Sequence, residues 1–230
     1  MELIVCRIGE MPYGEALDLQ YRLVEARRNG RIGNVLLLLE HPAVLTLGTR
    51  TDRSNIYCTD EQLRSAGIGQ FEVNRGGDVT FHGPGQIVGY PIVQLKEFEQ
   101  GIRWFITTLE EALIDVLKDR FGIESYTQSG KFTGVWVGDN KIAAFGLAVV
   151  NGVTMHGFAF NINTDLANFD LINPCGLSKG VTSVERETGQ KADIGEVNAW
   201  IVSAIARRFD FSLRMVDFEE LKMMLHQAES

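Results

Sequence analysis

Two glycine-containing turns divide residues 135–162 into three β-rich runs, and this pattern constrains the fold more than any other part of the sequence. The runs cover residues 135–137, 142–150 and 153–162, with Gly138-Asp139-Asn140 and Asn151-Gly152 between them. An Asn-Gly pair between β-rich runs is a strong hairpin signal, because a tight type I′ turn needs positive φ at both central residues. The sequence therefore predicts an antiparallel sheet in this region.

Strands and helices occur in separate blocks along the rest of the chain. Strands are expected at 2–8, 34–39 and 44–47, and strands alternate with glycine turns over 71–93. Helices are expected at 13–29, 60–66, 102–120, about 195–208 and 217–227; in the third of these, apolar residues recur every four positions. This pattern indicates an α/β (α+β) fold with a mixed β-sheet core flanked by helices. We expect a single domain, 1–230, with a core of about 1–190 and a C-terminal helical part, about 191–230, packed on it.

Composition excludes several classes of protein. The chain has 230 residues, is 45% hydrophobic and 23% charged, and carries a formal net charge of −8. These values are typical of a folded globular protein and argue against a mainly electrostatic nucleic-acid binder. The sequence has no apolar run of the roughly 18–20 residues that a membrane-spanning helix needs and no signal-segment pattern at its start, so we expect a cytoplasmic protein. Three widely spaced cysteines predict free thiols and no zinc site.

Residues 75–86 read Arg-Gly-Gly-Asp-Val-Thr-Phe-His-Gly-Pro-Gly-Gln. Twelve residues thus hold a cation, an acid, a hydroxyl, an imidazole and four glycines, which suits a wall that binds a ligand through main-chain amides and fixed polar groups. A tight turn with a hydrogen-bonded histidine is the alternative. Familiar phosphate-binding motifs fail: Gly83-Pro84-Gly85 does not continue as a dinucleotide fingerprint, and Phe132 follows Gly130-Lys131 where a P-loop needs Ser or Thr.

Three further segments could take part in chemistry. Cys175 lies between Pro174 and Gly176, a setting that suits a reactive thiol, although a lone cysteine is more often a small core residue. Lys141 begins an apolar strand, where a lysine removed from water can act as a base, although lysines at turn ends are common. The small residues of 154–159 could line an apolar slot.

Taken in their order along the chain, the segment 75–86, the strand that begins at Lys141, the segment 154–159 and the Pro-Cys-Gly string resemble the lipoyl(octanoyl) transferase family. These enzymes move an octanoyl group from acyl carrier protein to protein. The resemblance covers most of the chain and includes 38–42, 46–48, 75–86, 89–91, 134–137, 141–146, 156–161 and 174–176. The Pro-Cys-Gly string lies 34 residues beyond Lys141. As a set the motifs are highly specific, although each alone would be weak.

The resemblance implies a fold like that of the biotin and lipoate protein ligases, and it implies roles for particular residues. Cys175 would be the nucleophile that forms an acyl thioester, and Lys141 would activate it by proton transfer. The acyl slot would be formed by Arg75, Gly76, Gly77, Asp78, Val79, Thr80, Phe81, His82, Ala144, Phe145, Gly146, Gly157, Phe158 and Ala159. Phe145 stands where a smaller aliphatic residue is common in the family, and Phe158 and Phe160 stand where leucine is common, which leaves the length and fit of the acyl chain open.

The resemblance also implies partners. The donor would be octanoyl-acyl carrier protein, and the acceptors would be lipoyl domains of 2-oxoacid dehydrogenase E2 subunits and the glycine cleavage H protein. No ATP, metal, nucleic acid or membrane is expected. Because the carrier protein is acidic, a local basic face is predicted, with Arg22, Arg27, Arg28, Arg31, Arg50, Arg53 and Lys179 as candidates.

Two alternatives remain open from the sequence. One is an ATP-dependent lipoate or biotin protein ligase, which makes an acyl-adenylate and needs no nucleophilic cysteine. The other is a non-catalytic module that binds acyl groups or carrier proteins. The presence of both Cys175 and Lys141 favours the transferase over either.

Overall fold

A long mixed sheet forms the centre of the protein in the computed structural model, which describes residues 1–128, 130–173 and 179–229. Its strands lie in the order β12-β1-β2-β6-β10-β9-β8-β7, and β11 pairs with β9. They are β1 (Glu2–Glu10), β2 (Asn34–Glu40), β6 (Gln86–Ile92), β7 (Tyr126–Gln128), β8 (Gly134–Val137), β9 (Asn140–Val150), β10 (Val153–Asn161), β11 (Gly180–Val181) and β12 (Ser212–Val216). The expected mixed-sheet α/β fold is confirmed.

Helices cover both faces of this sheet. They are α1 (Tyr13–Arg28), α3 (Ile102–Phe121), α4 (Val184–Thr188), α5 (Ile194–Phe209) and α6 (Phe218–Glu229). A further short helix, α2 (Asp60–Ser65), packs through Leu63 in a separate small core. The apolar faces of α3 and α5 pack with one side of the sheet, and those of α1 and α6 pack with the other. Both sides of β2 are therefore buried, as its uninterrupted apolar run predicts.

A second, three-stranded sheet lies beside the first. It consists of β4 (Gly69–Glu72), β3 (Val44–Leu47) and β5 (Val79–His82), with β3 in the middle. Leu45, Val79 and Phe81 from this sheet pack with Leu63 and Phe169 in a separate small core. The segment that contains Arg75 joins β4 to β5 and contacts β9 of the main sheet.

The Asn151-Gly152 hairpin forms as predicted. Both residues have positive φ, 52° and 84°, and β9 pairs antiparallel with β10 on either side of them. The C-terminal segment differs from the expectation of helices alone, because β12 forms between α5 and α6 and extends the main sheet parallel to β1. Its side chains are exposed apart from Val216, so it lacks the apolar signal of a buried strand.

A buried polar network joins α1, β2 and the turn after β6. Arg27 Nε donates to Asn34 Oδ1 at 2.8 Å, the Arg27 guanidinium pairs with Glu97, and Asn34 Nδ2 donates to Glu97 Oε2 at 3.1 Å. Only 10% of the Arg27 side chain is exposed, against 41% for Arg28, which pairs with Glu25 on the helix surface. Arg27 is therefore part of the structure and is wrong as a candidate for a docking face.

These two neighbouring arginines provide a test of the fold. We expect Arg27→Ala to lower the free energy of unfolding by about 3 kcal/mol, since it leaves the partly buried Glu97 without its partner. Arg28→Ala, the matched control, should cost about 0.5 kcal/mol or less because its ion pair is exposed to water. Urea denaturation of both variants at neutral pH measures the difference. Equal losses would contradict a structural role for the Arg27 network.

Candidate active site

A cavity of about 450 Å³ lies where the segment after Arg75 meets the β9–β10 hairpin. Thirteen of the fourteen residues expected to bind the acyl group line it, and so does Lys141. Phe81 is the exception. Because side chains alternate along β5, Phe81 points into the small core, where its ring lies 5.5 Å from that of Phe169.

Strand register explains why distant segments share this cavity. In the β9–β10 hairpin, Ala144 is opposite Ala159, Phe145 opposite Phe158, and Gly146 opposite Gly157. The loop after Arg75 joins them because the Gly76 N–H donates to the Leu147 carbonyl at 3.2 Å. The small residues of the hairpin leave open space beside a continuous sheet.

Arg75 is a buried cation at this cavity, with only 7% of the residue exposed. Its Nη2 donates to the Thr46 carbonyl at 2.6 Å and to Thr46 Oγ1 at 2.9 Å, and its Nη1 donates to the Gly76 carbonyl at 3.2 Å. Burial lowers the pKa of Arg75 to about 10. The guanidinium is thus held by neutral oxygen atoms and contributes positive charge to the cavity wall.

Asp78 fixes the loop that follows Arg75. Its carboxylate accepts hydrogen bonds from the Val79 N–H at 2.7 Å, from Asn55 Nδ2 at 2.5 Å and from the Asp52 N–H at 3.2 Å. These bonds join the carboxylate to the start of β5 and to residues 52–55. Asp78 therefore shapes the wall of the cavity.

His82 is fully buried and neutral. Gln86 donates through Nε2 to Asn161 Oδ1 at 2.9 Å, so its Oε1, 2.8 Å from His82 Nδ1, is assigned as the acceptor of an Nδ1–H proton. Burial, followed by the nearby His41, lowers the pKa of His82 to about 3. At neutral pH this imidazole can orient neighbours by hydrogen bonding but carries no charge.

The cavity is also lined by Tyr13, Tyr90 and His156, which were not among the predicted site residues, although Tyr90 and His156 lie in segments that carry the resemblance. His41 connects two elements behind them, since its Nδ1 lies 2.7 Å from the Met11 carbonyl and its Nε2 lies 2.7 Å from the Tyr90 hydroxyl. Tyr13 stacks on His82, with ring centroids 6.2 Å apart. Only the folded chain brings α1 against the end of β5, so no local pattern could identify Tyr13.

His156 has an unusual backbone conformation, with φ of 57° inside β10. Its N–H donates to Gln20 Oε1 at 2.8 Å, and its Nε2 lies 2.6 Å from Asn74 Oδ1. Burial lowers the pKa of His156 to about 4. The residue therefore links β10 to α1 and to the segment before Arg75 while remaining neutral.

Lys141 is half-buried at the start of β9. Its Nζ donates to the Thr133 carbonyl at 3.3 Å and lies 4.9 Å from the centroid of the Trp136 ring. Its side chain crosses Gly134, where an added Cβ would lie 3.2 Å from Lys141 Cε and 2.6 Å from the Ala143 carbonyl oxygen. The absence of a side chain at Gly134 therefore permits the observed position of Lys141.

Cys175, the predicted nucleophile, lies outside the described residues. The described chain on both sides of it is anchored near the cavity. The Asn173 N–H donates to the Asn55 carbonyl at 2.7 Å, and the Thr182 N–H donates to the Lys141 carbonyl at 3.0 Å. Of the other cysteines, Cys6 is buried in β1 and Cys58 is partly exposed.

Glu110 is a buried carboxyl group that the sequence analysis did not single out. It lies on α3 with 3% of the residue exposed, and its Oε1 accepts a hydrogen bond from the Gly134 N–H at 2.7 Å. Burial raises the pKa of Glu110 to about 7, against the opposing effects of the Gly134 amide and the Lys141 charge. Its position within the α3 apolar repeat gave no signal of this contact.

The predicted basic face is largely neutralised in the structure. Arg22 pairs with Glu229, Arg53 with Glu72 and Lys179 with Asp139. Arg50 is exposed at the rim of the cavity. Among the candidates, Arg50 is thus the residue closest to the predicted acyl slot.

Searches of the described residues found neither a membrane-spanning helix nor a group of three or more His, Cys, Asp or Glu residues placed to hold a metal ion.

Comparison with known proteins identifies the family. A family model described as the lipoyl protein ligase A/B catalytic domain matches residues 12–206. The octanoyltransferase of Desulforamulus reducens is 45% identical over 222 residues, which are 96% of this chain and 97% of that protein. The chain belongs to the octanoyltransferase family. The resemblance predicted from the sequence motifs is confirmed.

Solved structures related to this octanoyltransferase family member share its fold. Lipoate-protein ligase A, solved with bound ATP, superposes with a TM-score of 0.75 at 16% identity, covering 100% of this chain and 95% of that one. A bipartite lipoate protein ligase from Thermoplasma acidophilum, studied with its E2 lipoyl domain, gives a TM-score of 0.74 at 16% identity and covers 99% of this chain and 92% of that one. The expected likeness to the lipoate ligase fold is confirmed.

The buried histidines predict how stability depends on pH. His41, His82 and His156 have folded-state pKa values of about 4, 3 and 4, below the ordinary 6.5, so below pH 6.5 the unfolded chain binds protons that the folded chain does not. The free energy of unfolding should therefore fall as the pH drops from 6.5 towards 4. His41→Gln should reduce the slope between pH 6 and pH 5 by about 1 kcal/mol per pH unit.

Urea denaturation at intervals of pH measures this slope, and His226→Gln, on the exposed surface of α6, is the control. The control should keep the wild-type slope. An unchanged slope in His41→Gln would show that His41 is not held neutral by burial.

Proposed function

We propose that this enzyme transfers an octanoyl group from octanoyl-acyl carrier protein to a lysine of a lipoyl domain through a thioester on Cys175, the first step of endogenous protein lipoylation. The observation that carries this proposal is the shared cavity. Lys141 and the small residues of the β9–β10 hairpin line the same space, in a chain that belongs to the octanoyltransferase family.

The cavity suits an acyl chain next to a polar reaction centre. Ala144, Gly146, Gly157 and Ala159 provide an apolar, uncharged surface, while Lys141 supplies an amine at the start of the same strand. Burying an alkyl chain against such a surface is favourable by about 0.8 kcal/mol per methylene group. We infer that this burial selects the acyl group and presents its carbonyl carbon towards the Lys141 end.

In the first half-reaction, the Cys175 thiol gives its proton to the neutral amine of Lys141. The thiolate attacks the carbonyl carbon of the donor thioester, a new C–S bond forms, and the bond to the carrier's sulfur breaks. The departing thiolate then takes the proton from the Lys141 ammonium. Such help is needed because an ordinary cysteine is only a few per cent thiolate at pH 7.

In the second half-reaction, the neutral amine of the acceptor lysine attacks the Cys175 thioester. An amide C–N bond forms, the C–S bond to Cys175 breaks, and the proton lost by the amine passes through Lys141 to the cysteine sulfur. Exchange between thioesters is close to thermoneutral, whereas conversion of a thioester to an amide is downhill. The proposed reaction therefore needs no ATP and no metal.

The acceptor follows from the chemistry of the family. The Thermoplasma acidophilum ligase was studied with its E2 lipoyl domain, which supports lipoyl domains, including those of 2-oxoacid dehydrogenase E2 subunits and the glycine cleavage H protein, as acceptors here. We propose acyl carrier protein as the donor and the cytoplasm as the place of reaction.

Intact-mass measurement after mixing with octanoyl-acyl carrier protein tests the proposal. Wild-type protein should gain the mass of one octanoyl group without ATP, and Cys175→Ala should gain none. Cys58→Ala, which changes a partly exposed cysteine outside the predicted site, should form the adduct at the wild-type rate. Lys141→Met should slow adduct formation at pH 7 by roughly 10²–10⁴-fold, the usual contribution of a general base.

Three outcomes would contradict the proposal. A strict requirement for ATP with octanoate would indicate a ligase. Binding of the carrier protein without any adduct would indicate a non-catalytic module. An unchanged rate in Lys141→Met would remove Lys141 from the first half-reaction.

A further inference from the structure

We propose that Glu110 is a positioning residue for Lys141. Its carboxylate fixes the backbone on which the lysine side chain lies, and its negative charge stabilises the protonated form of Lys141. The effect of the Glu110 charge on Lys141 is a property of the folded protein without substrate. Only the effect of Glu110 on the rate of acyl transfer rests on the proposed function.

The contact runs through one residue, Gly134. Glu110 Oε1 accepts the Gly134 N–H at 2.7 Å, and the Lys141 side chain lies across the Cα of the same glycine. β8 also pairs with β9 around this point, with Gly134 opposite Ala144 and Trp136 opposite Lys141. Glu110 therefore joins α3 to the part of the sheet that supports the lysine.

Glu110 has few other charged neighbours. On its own helix, Glu111 acts on it unfavourably, and Lys141 is the cation that acts on it. On α5, Arg207 and Arg208 pair with Asp115, and Arg208 also pairs with Glu111. β8 (Gly134–Val137) contains no ionisable side chain. On the neighbouring elements, the Tyr126 hydroxyl of β7 donates to the Gly138 carbonyl, and the Thr182 hydroxyl donates to Glu187 of α4.

A core carboxyl group in this setting reduces stability whenever it is ionised, because desolvation disfavours its charge. Lys141 is the cation whose charge lowers the pKa of the Glu110 carboxyl, and it compensates the carboxylate when both groups are ionised. By the same interaction, the carboxylate favours the lysine's proton. Lys141 can then accept a proton in each half-reaction without leaving an uncompensated charge beside the apolar core.

Nuclear magnetic resonance titration of the full chain, with its lysines labelled at the ε carbon, tests the electrostatic claim without substrate. The chain has seven lysines, and loss of one signal in Lys141→Met assigns Lys141. In Glu110→Gln, which keeps an oxygen acceptor for Gly134, Lys141 should lose its proton at a pH lower by about 1 pH unit than in wild type. Glu111→Gln, one position along α3, should leave the Lys141 midpoint close to the wild-type value.

A Lys141 midpoint equal to wild type in Glu110→Gln would overturn the proposal. If that variant does not fold, the reciprocal measurement decides. Coupling between two sites acts equally in both directions, so Lys141→Met should raise the pH at which the Glu110 carboxyl ionises. Labelling of the glutamate carboxyl carbons lets this ionisation be measured by nuclear magnetic resonance. An unchanged Glu110 midpoint in Lys141→Met would also overturn the proposal.

The catalytic consequence is measured separately by the pH dependence of octanoyl-adduct formation. In Glu110→Gln, the rise in rate that follows loss of the Lys141 proton should begin at lower pH than in wild type, whereas a purely structural defect would lower the rate equally at all pH values. If wild-type protein forms no adduct, the proposed function fails while the lysine titration still tests Glu110.

Discussion

The antiparallel pairing of β9 with β10 is the interaction on which the rest of the site depends. Its register places Ala144 opposite Ala159 and Gly146 opposite Gly157, and Lys141 lies at the start of β9, just before the residues that pair with β10. A Cβ on Gly157 would lie 1.9 Å from the Gly89 carbonyl oxygen, so the close approach of β10 to β6 requires glycine there. A shift of one residue would turn every small side chain to the opposite face.

The same strand holds the other parts of the cavity together. The loop after Arg75 attaches to the Leu147 carbonyl, and β11 pairs with β9 next to Lys141. The described chain after Cys175 is therefore bonded to β9 beside the lysine, whereas the described chain before it is bonded to Asn55. The β9–β10 hairpin thus connects the proposed acyl-binding surface, the proposed base and the segment that follows the proposed nucleophile.

Several polar groups around the cavity are fixed by contacts within the protein. His82 and His156 are held neutral by burial, and the Asp78 carboxylate accepts hydrogen bonds from three N–H donors. Lys141 lies on the cavity wall, and Glu110 accepts the N–H of Gly134, which the lysine side chain crosses. In the proposed reaction, Lys141 is the group that accepts and returns protons.

The sequence predicted those features that depend on local pattern. The Asn151-Gly152 turn, the buried run of β2 and the apolar repeat of α3 each follow from backbone preference or side-chain period. The motif residues could be grouped because they occur in a fixed order along the chain. Their meeting in space could not be derived from spacing alone, since it depends on the pairing of β9 with β10 and on the docking of a separate small sheet.

What the sequence did not predict depends on tertiary contacts. The β12 strand has mostly exposed side chains and forms only because β1 offers an edge. Arg27 was predicted to be a surface cation, but its side chain is buried in a hydrogen bond to Asn34. Phe81 was predicted to line the acyl slot, but it lies in the small core. Glu110 lies within the repeat of α3, and its hydrogen bond with the Gly134 N–H depends on how α3 packs against β8.

The central claim is that the octanoyl group is bound covalently to Cys175 as a thioester during transfer. The most direct measurement is acid quenching of wild-type protein shortly after mixing with octanoyl-acyl carrier protein, followed by proteolysis and tandem mass spectrometry of the peptides. We expect the octanoyl group on Cys175 and its loss from that peptide when a lipoyl domain is added before the quench. An octanoyl group on Lys141 or Cys58, or none on the protein while a lipoyl domain becomes octanoylated, would contradict the account.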